Sequence, residues 1–166
     1  MIKLVLSVLY AVSLWAAEPF VPADFTVPAT YQGKGYKLVP LGPELVKIDY
    51  DAYMSSIEHL QKTLGGKWPH AGITMDDAMK DMQEEKQRFD SRKSFAYAVL
   101  TSDGKRELGS FYLRPSREPG FDAAASLWVT KEQYDNGFEP ILLKDMKTWI
   151  AKAWPFQKVS WPKRLM

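Results

Sequence analysis

The stretch SFAYAVLTSDGKRELGSFYL, residues 94–113, contains the pattern on which the fold assignment depends. Ser94 to Thr101 alternates in the manner of a β-strand, and Glu107 to Leu113 returns as a second strand. Between them, Ser102-Asp103-Gly104-Lys105 is a turn sequence, so the stretch predicts a β-hairpin. A third strand is predicted at about Ala123 to Val129, which gives the centre of a sheet.

Helical patterns precede this hairpin. Tyr36 to Leu41 is a short strand candidate, and apolar residues then recur three and four positions apart until Gly65-Gly66, which ends a helix. Thr74 and Asp77 form a capping-type start for a second helix, because the Thr hydroxyl can accept from the first free backbone amides.

A last helix and a last strand follow the third strand of the sheet. A broad apolar face predicts the helix, which Asp135 or Asn136 caps and Pro155 stops. Phe156 to Trp161 is the final strand candidate. The whole order, β-α-α-β-β-β-α-β, predicts one mixed α/β (α+β) domain.

The N-terminus has the pattern of an export signal. Lys3 precedes an apolar run from Leu4 to Trp15, and Ala16-Ala17 offers small residues for cleavage. The run is shorter than the roughly 20 residues that span a bilayer. We therefore expect a signal peptide at residues 1–17, no stable membrane span after its removal, and a periplasmic or secreted protein; a buried N-terminal helix is the alternative. Residues 18–35 are Pro-rich and predict an extended arm.

The composition excludes several classes of function. The chain has 22 Lys and Arg against 20 Asp and Glu, a balance that does not favour nucleic-acid binding. It has no Cys, so disulfides, thiolate zinc sites and cysteine nucleophiles are excluded. The sequence shows no Walker loop, Gly-x-Ser-x-Gly elbow or dinucleotide fingerprint.

The element order from Tyr36 to Trp161 resembles the GNAT acetyltransferase superfamily. Residues 95–112 resemble the central hairpin of that family, and Ser126-Leu127-Trp128-Val129 resembles its fourth strand. The phrases Trp68-Pro69 and Trp154-Pro155-Phe156 resemble a smaller, divergent GNAT-like branch. The resemblance implies a GNAT-like central, mostly antiparallel sheet flanked by helices, over residues 36–166.

This resemblance also implies a function and leaves an alternative. It implies transfer of an acetyl group from acetyl-CoA to a small amine, without a metal. Family members continue with another helix and two strands, so we expect a fold truncated at the C-terminus. The alternative is a catalytically inactive, exported GNAT-fold module that binds a ligand or serves a structural role. A homodimer is left open.

The resemblance assigns cofactor contacts to the fourth strand and to the turn before the next helix. There, backbone groups of the strand bind the pantetheine arm, and bare amides of the turn surround the pyrophosphate. The residues implied are Leu127, Trp128, Val129, Asn136, Gly137 and Phe138. Tyr134 and Glu139 depart from the family pattern, and a carboxylate at Glu139 is expected to repel a pyrophosphate.

The sequence assigns no catalytic residue. Polar side chains on or beside the strands that would line the cleft are Tyr97, Glu107, Tyr112 and Asp122. His59 and His70 lack metal-ligand spacing, so no metal site is predicted. Arg114 and Arg117 either hold an acidic ligand or belong to a solvated loop.

Overall fold

Six strands form one sheet, and their order in the sheet follows the chain. In the computed structural model, which describes residues 20–166, the strands are β1 (Tyr31–Gln32), β2 (Tyr36–Pro40), β3 (Phe95–Thr101), β4 (Glu107–Pro115), β5 (Ala123–Val129) and β6 (Val159–Ser160). Neighbours are antiparallel except β5 and β6, which run parallel. The mixed, mostly antiparallel sheet and its central hairpin are confirmed. The predicted signal peptide lies outside the described residues.

Five α-helices accompany the sheet in the part of the chain that the structure describes. They are α1 (Val46–Met54), α2 (Ile57–Leu64), α3 (Met75–Asp90), α4 (Lys131–Asp135) and α5 (Phe138–Ala153). Short 3-10 turns lie at Pro43–Leu45 and Lys163–Leu165. None of these helices is long and apolar enough to cross a membrane.

The first predicted helix is in fact two helices. It breaks at Ser55 and Ser56, where the Ser55 hydroxyl donates to the carbonyl of Ala52 at 2.7 Å. Serine side chains compete for backbone groups in this way and favour helix ends. Gly65 ends α2 with a left-handed backbone (φ 72°), as the glycine pair predicted.

The predicted start of α3 is confirmed as a capping box. The Thr74 hydroxyl accepts from the Asp77 amide at 3.2 Å, and the Asp77 carboxylate accepts from the Thr74 amide at 2.9 Å. This exchange satisfies amides that have no partner within the helix.

Removal of this cap gives a stability prediction. Thr74→Ala is expected to lower the free energy of unfolding by about 1 kcal/mol, because the Asp77 amide loses its acceptor. Urea denaturation measures the change. Thr148→Ala is the matched control, since its hydroxyl bonds only to a carbonyl of its own helix, and it should shift stability by less than about 0.5 kcal/mol. Equal values for the two variants would contradict a stabilising cap.

The two faces of the sheet have different cores. Phe95, Tyr97 and Phe111 pack toward α5, where aromatic residues such as Trp149 complete a large apolar cluster. The opposite face presents Ala96 and Ala98 toward the other helices. Small side chains let both helices approach the sheet closely, with α1 packed against β4 and α3 packed against β3.

The end of the sheet differs from the sequence prediction in three respects. Helix α4 was not predicted, and α5 begins after Gly137 (φ 72°) without a side-chain cap, so neither Asp135 nor Asn136 caps it. The final strand is only Val159–Ser160. Its pairing with β5 stops at Ala124, and the rest of β5 continues without β6 beside it. The arm also contributes β1, which pairs with β2 at the other edge.

Candidate functional site

A cavity of about 260 Å³ lies between α1, α3, β4 and the loop after α2. Its wall combines carboxylic acids with aromatic rings. The wall includes Asp49, Tyr53, Trp68, Asp81, Glu85 and Tyr112, with Arg88 and Arg114 at one end. We call this space the acidic cavity.

The acids of the acidic cavity are not all neutralised. Glu85 is paired with Arg88 at 3.0 Å and with Arg114 at 3.2 Å. Asp49 and Asp81, by contrast, form no ion pair with any of residues 20–166. Two unpaired acids beside aromatic faces attract a cation, because both the charges and the ring quadrupoles favour it. The cavity is therefore suited to a small organic cation.

Asp49 forms a buried carboxyl pair with Glu107 of β4. Glu107 accepts from the Ser110 hydroxyl at 2.8 Å through Oε1, while its Oε2 is buried without a donor partner. Burial and the neighbouring Asp49 carboxylate raise the pKa of Glu107 well above its ordinary value. The raised pKa favours the protonated form of Glu107, whose proton can bridge to the Asp49 carboxylate.

The same environment brings the pKa of Asp49 close to neutral pH. Burial is the main cause that raises its pKa from 3.8 to about 7; the hydrogen bond from Glu107 acts against it, and the charges of Asp81 and Glu85 add to it. A carboxyl group with a pKa near ambient pH can both take up and release a proton. Asp49 is therefore the residue of this cavity best suited to proton transfer.

Aromatic rings close the cavity on the side of β5. Trp68 packs against Tyr53 with ring centroids 5.2 Å apart and against Trp128 at 6.0 Å. The indole of Trp128 donates to the Tyr112 hydroxyl at 3.4 Å. Trp128 therefore lies behind the cavity wall.

That strand edge is where the sequence predicted cofactor contacts. Leu127, Trp128 and Val129 are buried. The Leu127 carbonyl accepts from the guanidinium of Arg164, which also pairs with Glu139 at 2.7 Å. The backbone of Val129 is a hydrogen-bond partner of His59, although burial still lowers the pKa of that imidazole. The outer edge of β5 is thus covered by side chains of this chain.

Two of the three predicted turn residues do not offer the bare amides that a pyrophosphate needs. The amides of Asn136 and Gly137 donate to carbonyls of α4 at 3.1 and 3.0 Å. The Phe138 ring packs against Tyr36 with centroids 5.1 Å apart. The pairing of β6 with β5 ends at Ala124, and beyond it the Leu127 carbonyl is occupied by Arg164.

The remaining sequence candidates lie apart from the acidic cavity or at its end. Tyr97 is in the α5 core and donates to the Pro28 carbonyl at 2.6 Å. Asp122 accepts from the amides of Gln157 and Lys158 at 2.7 and 2.8 Å, so it anchors a loop. Among residues 20–166, no group of three or more potential ligands could hold a metal ion.

The sequence indicated part of the site and missed the rest. Glu107 and Tyr112 were among the candidates, and the structure brings them together over α1. Asp49, Tyr53 and Asp81 were missed. A usable signal existed, because Asp49 and Tyr53 are four residues apart and therefore share one helix face, which places an acid on the buried side.

Comparisons of the sequence alone give no relative. No protein-family model matches the chain. No curated protein matches it either.

Comparison of the structure with solved structures gives several relatives. The ribosomal-protein-S5-alanine acetyltransferase from Vibrio fischeri aligns over 76% of this chain and 69% of its own length, with 13% identity and a TM-score of 0.60. A chimeric spermidine N-acetyltransferase based on the Vibrio cholerae protein aligns over 77 and 70%, with 11% identity and a TM-score of 0.53. The ribosomal L7/L12 α-N-protein acetyltransferase in complex with coenzyme A aligns over 74 and 66%, with 13% identity and a TM-score of 0.53.

Proposed function

Because the chain has the GNAT acetyltransferase fold, we propose that it transfers an acetyl group to a small amine, which binds as a cation in the acidic cavity. The observation that carries the proposal is the pair of acids without cation partners, Asp49 and Asp81, beside the rings of Tyr53 and Trp68. An ammonium group placed there gains both charge attraction and contact with ring faces. The spermidine acetyltransferase among the structural relatives is named for such an amine.

Asp49 has the properties that an amine acceptor requires of a base. An ammonium ion has no lone pair, so it becomes a nucleophile only after a proton has left its nitrogen. Asp49 takes that proton on its carboxylate, and the hydrogen bond from neutral Glu107 stabilises the carboxylate beforehand. Acetyl-CoA, when bound, supplies the acyl group as a thioester, and a relative with coenzyme A supports this choice of cofactor.

A second function, amine binding without acetyl transfer, is favoured by Arg164. Its guanidinium holds the Leu127 carbonyl, and its partner Glu139 lies in the first turn of α5. The first feature occupies a backbone acceptor that the pantetheine arm would use, and the second places a carboxylate where it repels a pyrophosphate. In this alternative the protein is a binding module. For both functions we propose that residues 1–17 direct export of the protein.

Calorimetric titration of the full chain tests the proposal. n-Butylamine and spermidine are expected to give binding heat, whereas n-butanol, of similar size but uncharged, should give none. Release of coenzyme A thiol from acetyl-CoA in the presence of the amine then separates the two functions. Heat with thiol release supports the enzyme, and heat without it supports the binding module. No heat with either amine contradicts both, because each needs the acidic cavity.

A further inference from the structure

Next to the acidic cavity lies a groove of about 730 Å³ whose charge has the opposite sign. It runs along the end of β4, the loop that follows, and the start of β5. The charged and polar residues that line it include Arg88, Lys93, Ser94, Arg114, Arg117 and Glu118. We call this space the basic groove.

Most of the positive charge in the basic groove is available to a ligand. Arg88 is committed to Glu84 and Glu85. Arg114 uses one nitrogen on Glu85 and stacks over the Tyr112 ring at 4.7 Å, which leaves other N–H donors of its guanidinium. Lys93 and Arg117 form no ion pair within residues 20–166.

A buried hydroxyl gives an independent sign of a ligand. Ser94 lines the basic groove and is only 5% exposed. Its hydroxyl is buried and has no hydrogen-bond partner. Buried polar groups are almost always paired, and an unpaired one costs free energy, so an orphaned hydroxyl beside three cations indicates a missing acceptor. That acceptor is an oxyanion, since carboxylate and phosphate oxygens satisfy both a hydroxyl and a guanidinium.

The basic groove and the acidic cavity share a boundary. Arg88 and Arg114 line both spaces. Glu118 is the acid in the groove, and it is exposed on the outer loop. A molecule with a cationic end and an anionic end could therefore bind across the boundary, each end in the space of opposite charge.

From this arrangement we infer that the basic groove binds an oxyanion, and that the ligand of the acidic cavity is an amine that carries a carboxylate or phosphate. The second half of the inference rests on the proposed function, because it takes the amine end from it. The first half stands without it. The class of substrate is thus narrowed from a simple amine to a zwitterionic one.

Chain-length series of ligands test the inference on the full chain. ω-Aminocarboxylates, from 4-aminobutanoate to 8-aminooctanoate, are titrated against n-alkylamines with the same number of carbons. At one length the aminocarboxylate is expected to bind about tenfold more tightly, the size of one charge-assisted contact. The double variant Lys93→Ala/Arg117→Ala should lose this advantage and keep alkylamine binding. Lys144→Ala/Lys152→Ala, which removes two exposed lysines of α5, should keep both.

A titration with inorganic phosphate tests the basic groove without any amine. In spectra of ¹⁵N-labelled protein, phosphate at constant ionic strength should shift the amides of Ser94 and Arg117, and the Lys93→Ala/Arg117→Ala variant should not respond. A phosphate response without alkylamine binding would sink the proposed amine function and leave the oxyanion site standing. Alkylamine binding with no phosphate response and no chain-length advantage would overturn the oxyanion site. An advantage that survives in the double variant would also overturn it.

Discussion

Asp49→Asn is expected to abolish amine acetylation or, if the chain only binds its ligand, to weaken amine binding by about 100-fold. The substitution keeps the shape of the side chain but removes the carboxylate that faces the acidic cavity. Loss of a buried, charge-assisted partner costs about 2 to 3 kcal/mol, which corresponds to this factor. Titration calorimetry with spermidine measures it directly.

The pH dependence gives the same prediction a second readout. Because burial raises the pKa of Asp49 to about 7, its carboxylate is present above that pH and protonated below it. Amine binding and kcat/KM should therefore rise with pH through about 7 in the wild type. The other titratable groups facing Asp49 are Glu107, Asp81, Glu85, Tyr53 and Tyr112. Asp49→Asn should remove the inflection, and it should lower the pKa of Glu107, which burial and the Asp49 carboxylate raise.

Unfolding measurements at several pH values show whether the Asp49→Asn variant is folded under the conditions of the binding experiment. The folded-state pKa of Asp49 lies above its ordinary value of 3.8, so the folded state binds more protons between about pH 4 and 7. Stability is then lost as the pH rises through this window. Asp49→Asn removes that loss. The unfolding free energy of the variant minus that of the wild type should therefore increase from pH 5 to pH 8.

The matched control for Asp49 is Asp51→Asn on the same helix. Asp51 is exposed and pairs with Lys47 on the surface. It should leave amine binding and its pH profile unchanged. If Asp49→Asn is folded at pH 8 and binds the amine as tightly as the wild type, Asp49 is not part of the amine site.

The fold was largely predictable because its main signals are local. Residues 94–113 alternate and turn within one stretch of sequence, and the hairpin of β3 and β4 follows. The capping box of α3 needs only Thr74 and Asp77, three residues apart. Such signals hold wherever the segment is packed. Helix α4 and the short β6 depend instead on what packs around them, so the sequence did not predict their limits.

The site was less predictable because it joins residues far apart in the chain. Asp49 and Glu107 come from α1 and β4, and each alone has the appearance of an ordinary polar residue. Asp81 and Glu85 belong to a charged run of the kind that is typical of a solvated helix face, yet they line the acidic cavity. The contact of Arg164 with Leu127 spans 37 positions and has no local sequence signal.

Arg164→Ala is expected to increase affinity for acetyl-CoA by about fivefold. The guanidinium occupies the Leu127 carbonyl, a backbone group that the resemblance assigns to the pantetheine arm. Its removal leaves that carbonyl free for a hydrogen bond worth about 1 kcal/mol. The C-terminal turn should stay in place, because Leu165 is buried and its carbonyl accepts from Lys147 at 3.2 Å. Titration with acetyl-CoA and with desulfo-coenzyme A measures the gain.

The negative charge of Glu139 limits the gain in acetyl-CoA affinity. In Arg164→Ala the Glu139 carboxylate loses its only described cation partner and lies in the first turn of α5, where it repels the pyrophosphate. The double variant Arg164→Ala/Glu139→Gln should therefore bind acetyl-CoA more tightly than Arg164→Ala. Lys163→Ala, an exposed neighbour in the same turn, should bind like the wild type. If the double variant binds no better than the wild type, β5 is not a cofactor edge and the protein is the amine-binding module.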